Sequence, residues 1–243
     1  MTHATFIKSP YLYCVSKTQN IEVTVDAIVF GYSKAEGVKV VLIKRKYPPF
    51  EGDWAIPGGF VHEDESLEQA VERELQEETG VHINYLEQLY TFGAPKRDPR
   101  KRIISVAYFG IVKTSEFTRL HADTDAMEAQ WFNIKELPRL AFDHQEILDI
   151  AIERLRGKIV YQPVGFELLD KKFPFSDLEN LYSTLLDRPI DRRNFKKKVM
   201  HLGILDQLDE KAKSTGSGRP GNLFRFNEAR YRQLIEQGIH FEI

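Results

Sequence analysis

The sequence predicts a mixed α/β unit followed by a smaller unit of two helices and a β-hairpin. Three observations carry this. β-branched runs of strand length and segments of helical periodicity share the chain up to about residue 157, a Gly/Pro cluster follows, and the charge balance then changes sign. At 243 residues the chain exceeds one domain of about 100 to 200 residues, and 42% hydrophobic with 29% charged residues is the balance of a globular protein with a real core. Residues 1–162 hold 20 Lys and Arg against 24 Asp and Glu, whereas residues 163–243 hold 14 against 12. The two halves are therefore suited to different partners. A single cysteine, Cys14, excludes an internal disulfide and suits a reducing compartment. The start "MTHATFIKSPYLYC" lacks a signal-peptide profile, and no apolar run approaches the roughly 20 residues of a membrane span. The expectation is a soluble, cytoplasmic protein.

Taken in order, "IEVTVDAIVFGY" and "VKVVLIKRK" read as strands joined by the turn-prone "SKAEG". "WAIPGGFV" breaks the pattern at Pro57, Gly58 and Gly59 and reads as a loop that passes close to something. "LEQLYTFGA" and "RIISVAYFGIV" read as two more strands across the loop "PKRDPRK", and "AQWFNI" as another. Ile147, Leu148, Ala151 and Leu155 then repeat at helical spacing. Gly157, Pro163 and Gly165 punctuate the chain, which places the boundary between a first domain, residues 1–160 with a variable N-terminal segment, and a second, residues 161–243.

Between the early and late strands lies an acidic helix. Ser66 with Gln69 forms a capping-box start and Gly80 suits the position just past a helix end, so the helix spans residues 67–79. Leu67, Ala70, Val71 and Leu75 share one arc, which is the buried face, while Glu68, Glu72, Gln76 and Thr79 fall on the solvated side. Glu74, Glu77 and Glu78, spaced i, i+3, i+4, lie inside or beside the apolar arc. Partly buried carboxylates that repel one another call for a cation between them. A hard divalent ion that prefers oxygen ligands, Mg²⁺ or Mn²⁺, is the simplest candidate.

Gly59, five residues, Glu65, seven residues, then Arg73-Glu74-Leu75-Gln76-Glu77-Glu78-Thr79-Gly80-Val81 matches the complete 23-residue box of the Nudix hydrolases, and the chain resembles that family. The resemblance implies a Nudix fold with a mixed sheet between helices, and hydrolysis of a nucleoside diphosphate linked to another moiety. By position in the box, Glu74, Glu77 and Glu78 are the expected metal ligands, one of them a base as well. A backbone carbonyl at Gly59 is a further ligand candidate. Arg73 orients a glutamate by a charge-assisted contact or forms a surface ion pair. Glu65 assists metal or water, or stabilises the helix start by its charge alone. Hydrolysis of a diphosphate builds charge on phosphoryl oxygens, which carboxylate-held metal ions stabilise while activating water.

The substrate is read from outside the box. "RDPR" followed by "ISVAY" resembles the ADP-ribose pyrophosphatase branch, which implies ADP-ribose cleaved to AMP and ribose 5-phosphate. Arg97, Asp98, Arg100 and Arg102, with Lys101 among them, form either a solvated hairpin loop or a phosphate-binding one, and Arg45 is a candidate for phosphate or ribose. Phe50 and Trp54 either stack on a base or pack in the core. Asp125 and Glu128 are candidate extra acid or base groups.

In the second unit, "FSDLENLYSTLL" is an amphipathic helix with Ser176 as its expected N-cap and Leu178, Leu181, Tyr182 and Leu185 on one face. Asp191 caps a second helix in which Phe195, Val199 and Leu202 face inward. Residues 188–202 hold six Lys or Arg against one Asp. Helix, turn, basic helix and hairpin make a winged helix-turn-helix, its basic helix suited to the major groove and its "GSGRPG" wing to phosphates. Combined with the Nudix box, "FELLDKKFPFSDLENLYSTLLDRPIDRRNFKKKVMHLGIL" and "GRPGNLFRF" resemble the Nudix-related transcriptional regulators, the NrtR family. That resemblance implies an ADP-ribose-responsive homodimer on operator DNA, often upstream of NAD metabolism genes. It makes Arg192, Arg193, Asn194, Lys196 and Lys197 the DNA-helix candidates, with Arg219 in the wing. The complete box adds hydrolysis to sensing. The alternative is a metabolic ADP-ribose pyrophosphatase whose winged domain serves dimerisation or protein contacts only.

Overall fold

The computed structural model describes residues 20–83, 86–113, 120, 126–212, 221–238 and 241. Seven strands form the first sheet: β1 Glu22–Ser33, β2 Gly37–Arg45, β3 Trp54–Ala55, β4 Gly58–Phe60, β5 Leu86–Phe92, β6 Ile103–Lys113 and β7 Ala126–Asn133. The order β3-β2-β1-β6-β5 forms its main path, with β4 paired to β1 and β7 to β2. The sheet is mixed, because β1 and β6 run parallel from Glu22↔Ile103 to Tyr32↔Lys113 while the other pairs are antiparallel.

Strand alternation assigns the two faces. Val25, Ala27 and Val29 pack with Ala70, Val71 and Leu75 of α1 Leu67–Thr79. Ile28, Phe30 and Tyr32 pack instead with Ile147, Leu148, Ala151 and Leu155 of α2 His144–Tyr161. Each such aliphatic side chain stabilises the layer by about 1.5 to 3 kcal/mol when fully buried. Asp26 is in phase with the second set, so β1 turns one carboxylate toward the start of α2.

The capping box of α1 forms as expected, and Gly80 closes the helix at φ 70°. Thr79, expected on the solvated side, is fully buried. Its hydroxyl donates to the Leu75 carbonyl at 2.6 Å and accepts from the Val81 N–H at 3.1 Å, so burial leaves no polar atom unsatisfied. The stretch expected as a loop at "WAIPGGFV" forms β3 and β4. A Cβ at Gly58 would lie 2.1 Å from the Val25 carbonyl oxygen, and the lack of one is what lets β4 lie this close to β1.

Helix α2 runs through Gly157 to Tyr161, and a 3₁₀ turn at Val164–Leu168 leads into the second unit. There β8 Phe173–Pro174, α3 Phe175–Leu186, α4 Arg192–Leu202, β9 Leu205–Lys211, β10 Asn222–Phe226 and α5 Glu228–Glu236 follow. The small sheet has the order β8-β10-β9. Ser176 is not the N-cap of α3. Pro174 takes that position, because β8 pairs with β10 up to Pro174 and the chain turns directly from strand into helix. Strand β8 and helix α5 add to the expected helices and hairpin, while the wing tip with Arg219 lies outside the described residues, as does Asp125.

The apolar cluster beneath α2 continues without a break through Phe166 and Leu169 into Leu178, Leu181, Tyr182 and Phe195, so both units share one core. Ionic contacts reinforce the seam at Lys34 with Asp177 and Lys135 with Asp187.

Candidate functional site

A cleft of about 390 Å³ opens where β1, β4, α1, the 94–102 loop and the corner before α2 converge. Gly59, Glu74, Glu77, Glu78, Arg45, Arg97, Asp98 and Arg100 all line it, together with Arg73. These residues come from four separate stretches, and the fold brings them together. Arg102 is not brought there; its Nη1 donates to the Gly93 carbonyl at 2.7 Å. Glu65 does not line the cleft but stands behind Arg73.

Arg73 organises the acidic wall. Its Nε and Nη2 grip both oxygens of Glu65 at 2.9 and 2.7 Å, Nη1 donates to Glu74 at 2.8 Å, and Nη2 also donates to the Phe60 carbonyl at 3.1 Å. Glu77 sits 3.5 Å from Arg73 Nη1. The Arg73 hydrogen bonds hold the Glu65 carboxyl well below the usual range, at about 2, with help from the His62 N–H. Glu78 is only 3% exposed and accepts from the Gly58 N–H at 2.8 Å. Glu74 packs so closely over Gly59 that a Cβ there would come within 2.2 Å of Glu74 Oε1.

The donor chemistry of this wall, three carboxylates at one end of the cleft, fits a hard divalent cation. Among the described residues no three His, Cys, Asp or Glu side chains stand as a ready-made cation cage. Glu74 gives Oε1 to Arg73 and Glu78 gives Oε2 to a backbone N–H, and these bonds hold each carboxylate in place.

The opposite wall is cationic and aromatic. Arg45 donates through Nε to the Pro49 carbonyl at 3.0 Å and lies 4.8 Å from the Phe142 ring centroid. Arg100 clasps Asp98 through Nε and Nη2 at 3.0 and 2.7 Å, and also approaches the rings of Phe60 and Phe142, at 5.7 and 5.6 Å. Burial pushes the Asp98 carboxyl up, but the Arg100 hydrogen bonds outweigh it and the group ends below its ordinary value. Lys101 pairs with Glu22 and lies 5.2 Å from the Phe60 ring centroid.

Phe60, Phe142, Asp26 and His144 line this cleft without having been signalled by the sequence, and Asp143 supports it from behind. Phe142 adopts φ 52°, an uncommon conformation for a bulky residue, at the corner that turns its ring into the cleft. Asp26 and His144 are each 5% exposed. Asp26 looks ordinary within an apolar strand and His144 at a polar helix start, and only their meeting across the fold reveals them. Phe50 and Trp54 pack edge-on against Phe142 and Phe132 and do not line the cleft; Glu128 is exposed on β7.

In the second unit the Asp191 side chain caps α4 by accepting from the Arg193 and Asn194 N–H groups at 2.9 and 3.0 Å. Phe195 and Val199 are buried, and Arg193, Lys197 and Lys198 are exposed. Three of the expected DNA-helix residues have partners within the unit. Arg192 approaches Glu179 at 3.1 Å, Asn194 donates to Asp191 at 2.9 Å, and Lys196 lies over the Phe175 and Phe224 rings at 5.5 and 5.8 Å.

Residues 21–151 match the Nudix domain and residues 165–226 match the NrtR DNA-binding winged helix domain. The chain is 30% identical over 227 residues to the ADPR responsive transcriptional repressor NtrR of Acinetobacter baylyi, covering 90% of this chain and 89% of that protein. Over 110 residues it is 46% identical to the ADP-ribose pyrophosphatase of Methanocaldococcus jannaschii, covering 45% of this chain and 63% of that one. The crystal structure of Shewanella oneidensis NrtR with a 27mer DNA superposes with a TM-score of 0.71 at 32% identity, covering 86% of this chain and 95% of that one. The Nudix domain of the same protein, solved with ADP ribose, superposes with a TM-score of 0.53 at 37% identity, covering 58% and 90%. The chain belongs to the Nudix family, as a Nudix domain joined to an NrtR-type winged helix domain.

Proposed function

We propose that this protein is an ADP-ribose-responsive transcriptional regulator whose Nudix domain, residues 1–160, binds and hydrolyses ADP-ribose. Residues 161–243 bind operator DNA as part of a homodimer. The observation that carries this reading is the pairing of a complete Nudix box, facing a cationic and aromatic wall across one cleft, with a capped and exposed basic helix in the second unit. Similarity to an ADPR responsive repressor along nearly the whole chain, and to an ADP-ribose pyrophosphatase within the Nudix domain, supports both halves. Among the described residues no helix is long and apolar enough to cross a membrane, which accords with a regulator working in the cytoplasm.

In the reaction, water adds to one phosphorus of ADP-ribose, the bridging P–O bond breaks, and AMP and ribose 5-phosphate leave. Glu74, Glu77 and Glu78, with Gly59, would hold Mg²⁺ or Mn²⁺, which supplies charge neutralisation at the phosphoryl oxygens and an activated water. Arg73 keeps Glu74 directed along the cleft and is itself fixed by Glu65. Arg45, Arg97 and Arg100 bind the diphosphate and ribose side, and the Phe60 and Phe142 rings exclude water from it.

Phosphorus NMR of the purified protein with ADP-ribose and Mg²⁺ tests the chemistry. Wild type releases AMP, while Glu78→Gln, whose amide oxygen still accepts from Gly58, stays folded and releases none. Turnover by the variant at the wild-type rate would overturn the assignment of Glu78.

A further inference from the structure

Asp143 occupies the N-cap position of α2. An aspartate there ordinarily accepts from an N–H of the first turn and stabilises its helix. Asp143 makes no such bond. Both of its oxygens are given to Arg97, which donates from Nε at 2.8 Å and Nη2 at 2.7 Å. The same Nη2 faces a second carboxylate, Asp26 Oδ2, at 3.7 Å.

Asp26 is in turn immobilised. It accepts from the Ser105 hydroxyl and has His144 Nε2 at 3.7 Å from its other oxygen. His144 accepts the Ile56 N–H through Nδ1 at 2.9 Å, which places its proton on Nε2, facing Asp26. Arg97 is only 5% exposed in its side chain, yet it lines the cleft, and its Nη1 donates to no described residue. One edge of the guanidinium is thus gripped by carboxylates, and the remaining nitrogen has no hydrogen-bond acceptor among the described residues.

We propose that Asp143 is a positioning residue that gives up its helix-capping role to aim Arg97 Nη1 into the cleft, as a directed donor to the diphosphate of the bound nucleotide. The inference rests on the ligand class assigned above. A guanidinium is a rigid planar fork, so whatever grips two of its nitrogens sets the direction of the third. Two carboxylates offset the charge of Arg97, and its contribution is therefore a directed hydrogen bond rather than long-range attraction.

Calorimetry separates this role from a purely structural one. Asp143→Asn keeps a residue that caps helices well but loses the paired acceptor oxygens. Metal-free titrations of wild type, Asp143→Asn and Arg97→Lys are made with three probes: ADP-ribose, inorganic pyrophosphate and adenosine. Asp143→Asn is expected to weaken ADP-ribose and pyrophosphate by about 10-fold in a protein that still unfolds cooperatively, with adenosine affinity held; in separate turnover assays with Mg²⁺ the fall in kcat/KM appears in KM. Arg97→Lys gives a similar loss, and the double variant adds little because both act through one contact. Should the asparagine variant fail to fold, Asp143→Ser repeats the test with another good cap.

Unchanged pyrophosphate and ADP-ribose affinity in a folded variant would overturn the proposal, as would an equal loss for adenosine. Wild-type binding of pyrophosphate but not of ADP-ribose, with the pyrophosphate lost in Asp143→Asn, would sustain the frame and remove the ligand reading. A wild type that bound neither would end both.

Discussion

Adding one methyl group at either of two adjacent glycines should produce opposite phenotypes. At Gly58 a Cβ would meet main chain, 2.1 Å from the Val25 carbonyl oxygen and 3.0 Å from the Asp26 Cα. Carbon to oxygen contacts across strands are normally about 3.3 Å or longer, so β4 must part from β1 by about 1 Å. Overpacking against backbone costs about 3 kcal/mol, and at about 2 to 4 °C per kcal/mol for a chain of this size the melting temperature falls by about 6 to 12 °C. At Gly59 the obstruction is the tip of a flexible side chain, 2.2 Å to Glu74 Oε1 and 2.7 Å to Oε2. Glu74 can swing away, at the loss of its part-buried, charge-assisted contact with Arg73, worth about 1.5 kcal/mol. Stability therefore falls by about half as much as at Gly58, but the carboxylate moves by more than 1 Å and turnover drops about 100-fold. Scanning calorimetry and phosphorus NMR on Gly58→Ala and Gly59→Ala read the two effects. A Gly59→Ala protein that hydrolyses like wild type, or a Gly58→Ala protein that melts like it, would refute the reasoning.

The Glu65 carboxyl, held at about 2 by Arg73 against an ordinary 4.5, has the lower value in the folded state, so its contribution is present above pH 4.5 and is lost as pH falls toward 2. Glu65→Gln should flatten the fall of the urea midpoint across that window, and an equally steep fall in the variant would count against the pairing. Burial lowers His144 below its ordinary 6.5, so the unfolded chain takes up the proton first and stability declines as pH drops below 6.5. Replacing His144 with Gln removes that component, measured as the difference in midpoints between pH 7 and pH 5. On α4, Arg193→Ala and Lys197→Ala should each reduce the slope of log affinity against log salt for duplex DNA by about 0.9. An Asp191→Ala control should lower the melting temperature through its lost cap while leaving the slope unchanged.

Local signals carried the acidic helix in full: Ser66, Gln69 and Gly80 mark its ends, and the structure matches them residue for residue. The wheel failed at Thr79 because amphipathicity assumes a hydroxyl must face water, whereas this one satisfies itself against Leu75 and Val81. For a related reason Ser176 does not cap α3. Capping propensity is local, and the pairing of β8 with β10, between residues some fifty positions apart, decided where α3 begins. The candidate site divides the same way. Residues within the box share one helix and were visible from spacing, while Asp26, Phe142 and His144 gain their neighbours only when β1 and the start of α2 meet. Arg102, one residue before β6, is turned onto the Gly93 carbonyl, an orientation that its place in a basic loop does not encode.

The parallel ladder between β1 and β6 also bears on how the chain is built. Its eleven partners join residues 22–32 to residues 103–113, so the central pair of the sheet cannot register until the intervening segment has closed as a loop. Pairing of this kind is slow, and strand edges exposed meanwhile are prone to join other chains. During synthesis β1 must wait for β6 to emerge, with β2 available earlier as its antiparallel partner through the short turn at residues 34–36. That early hairpin covers one edge of β1 and leaves the other reserved for β6, which emerges well after it.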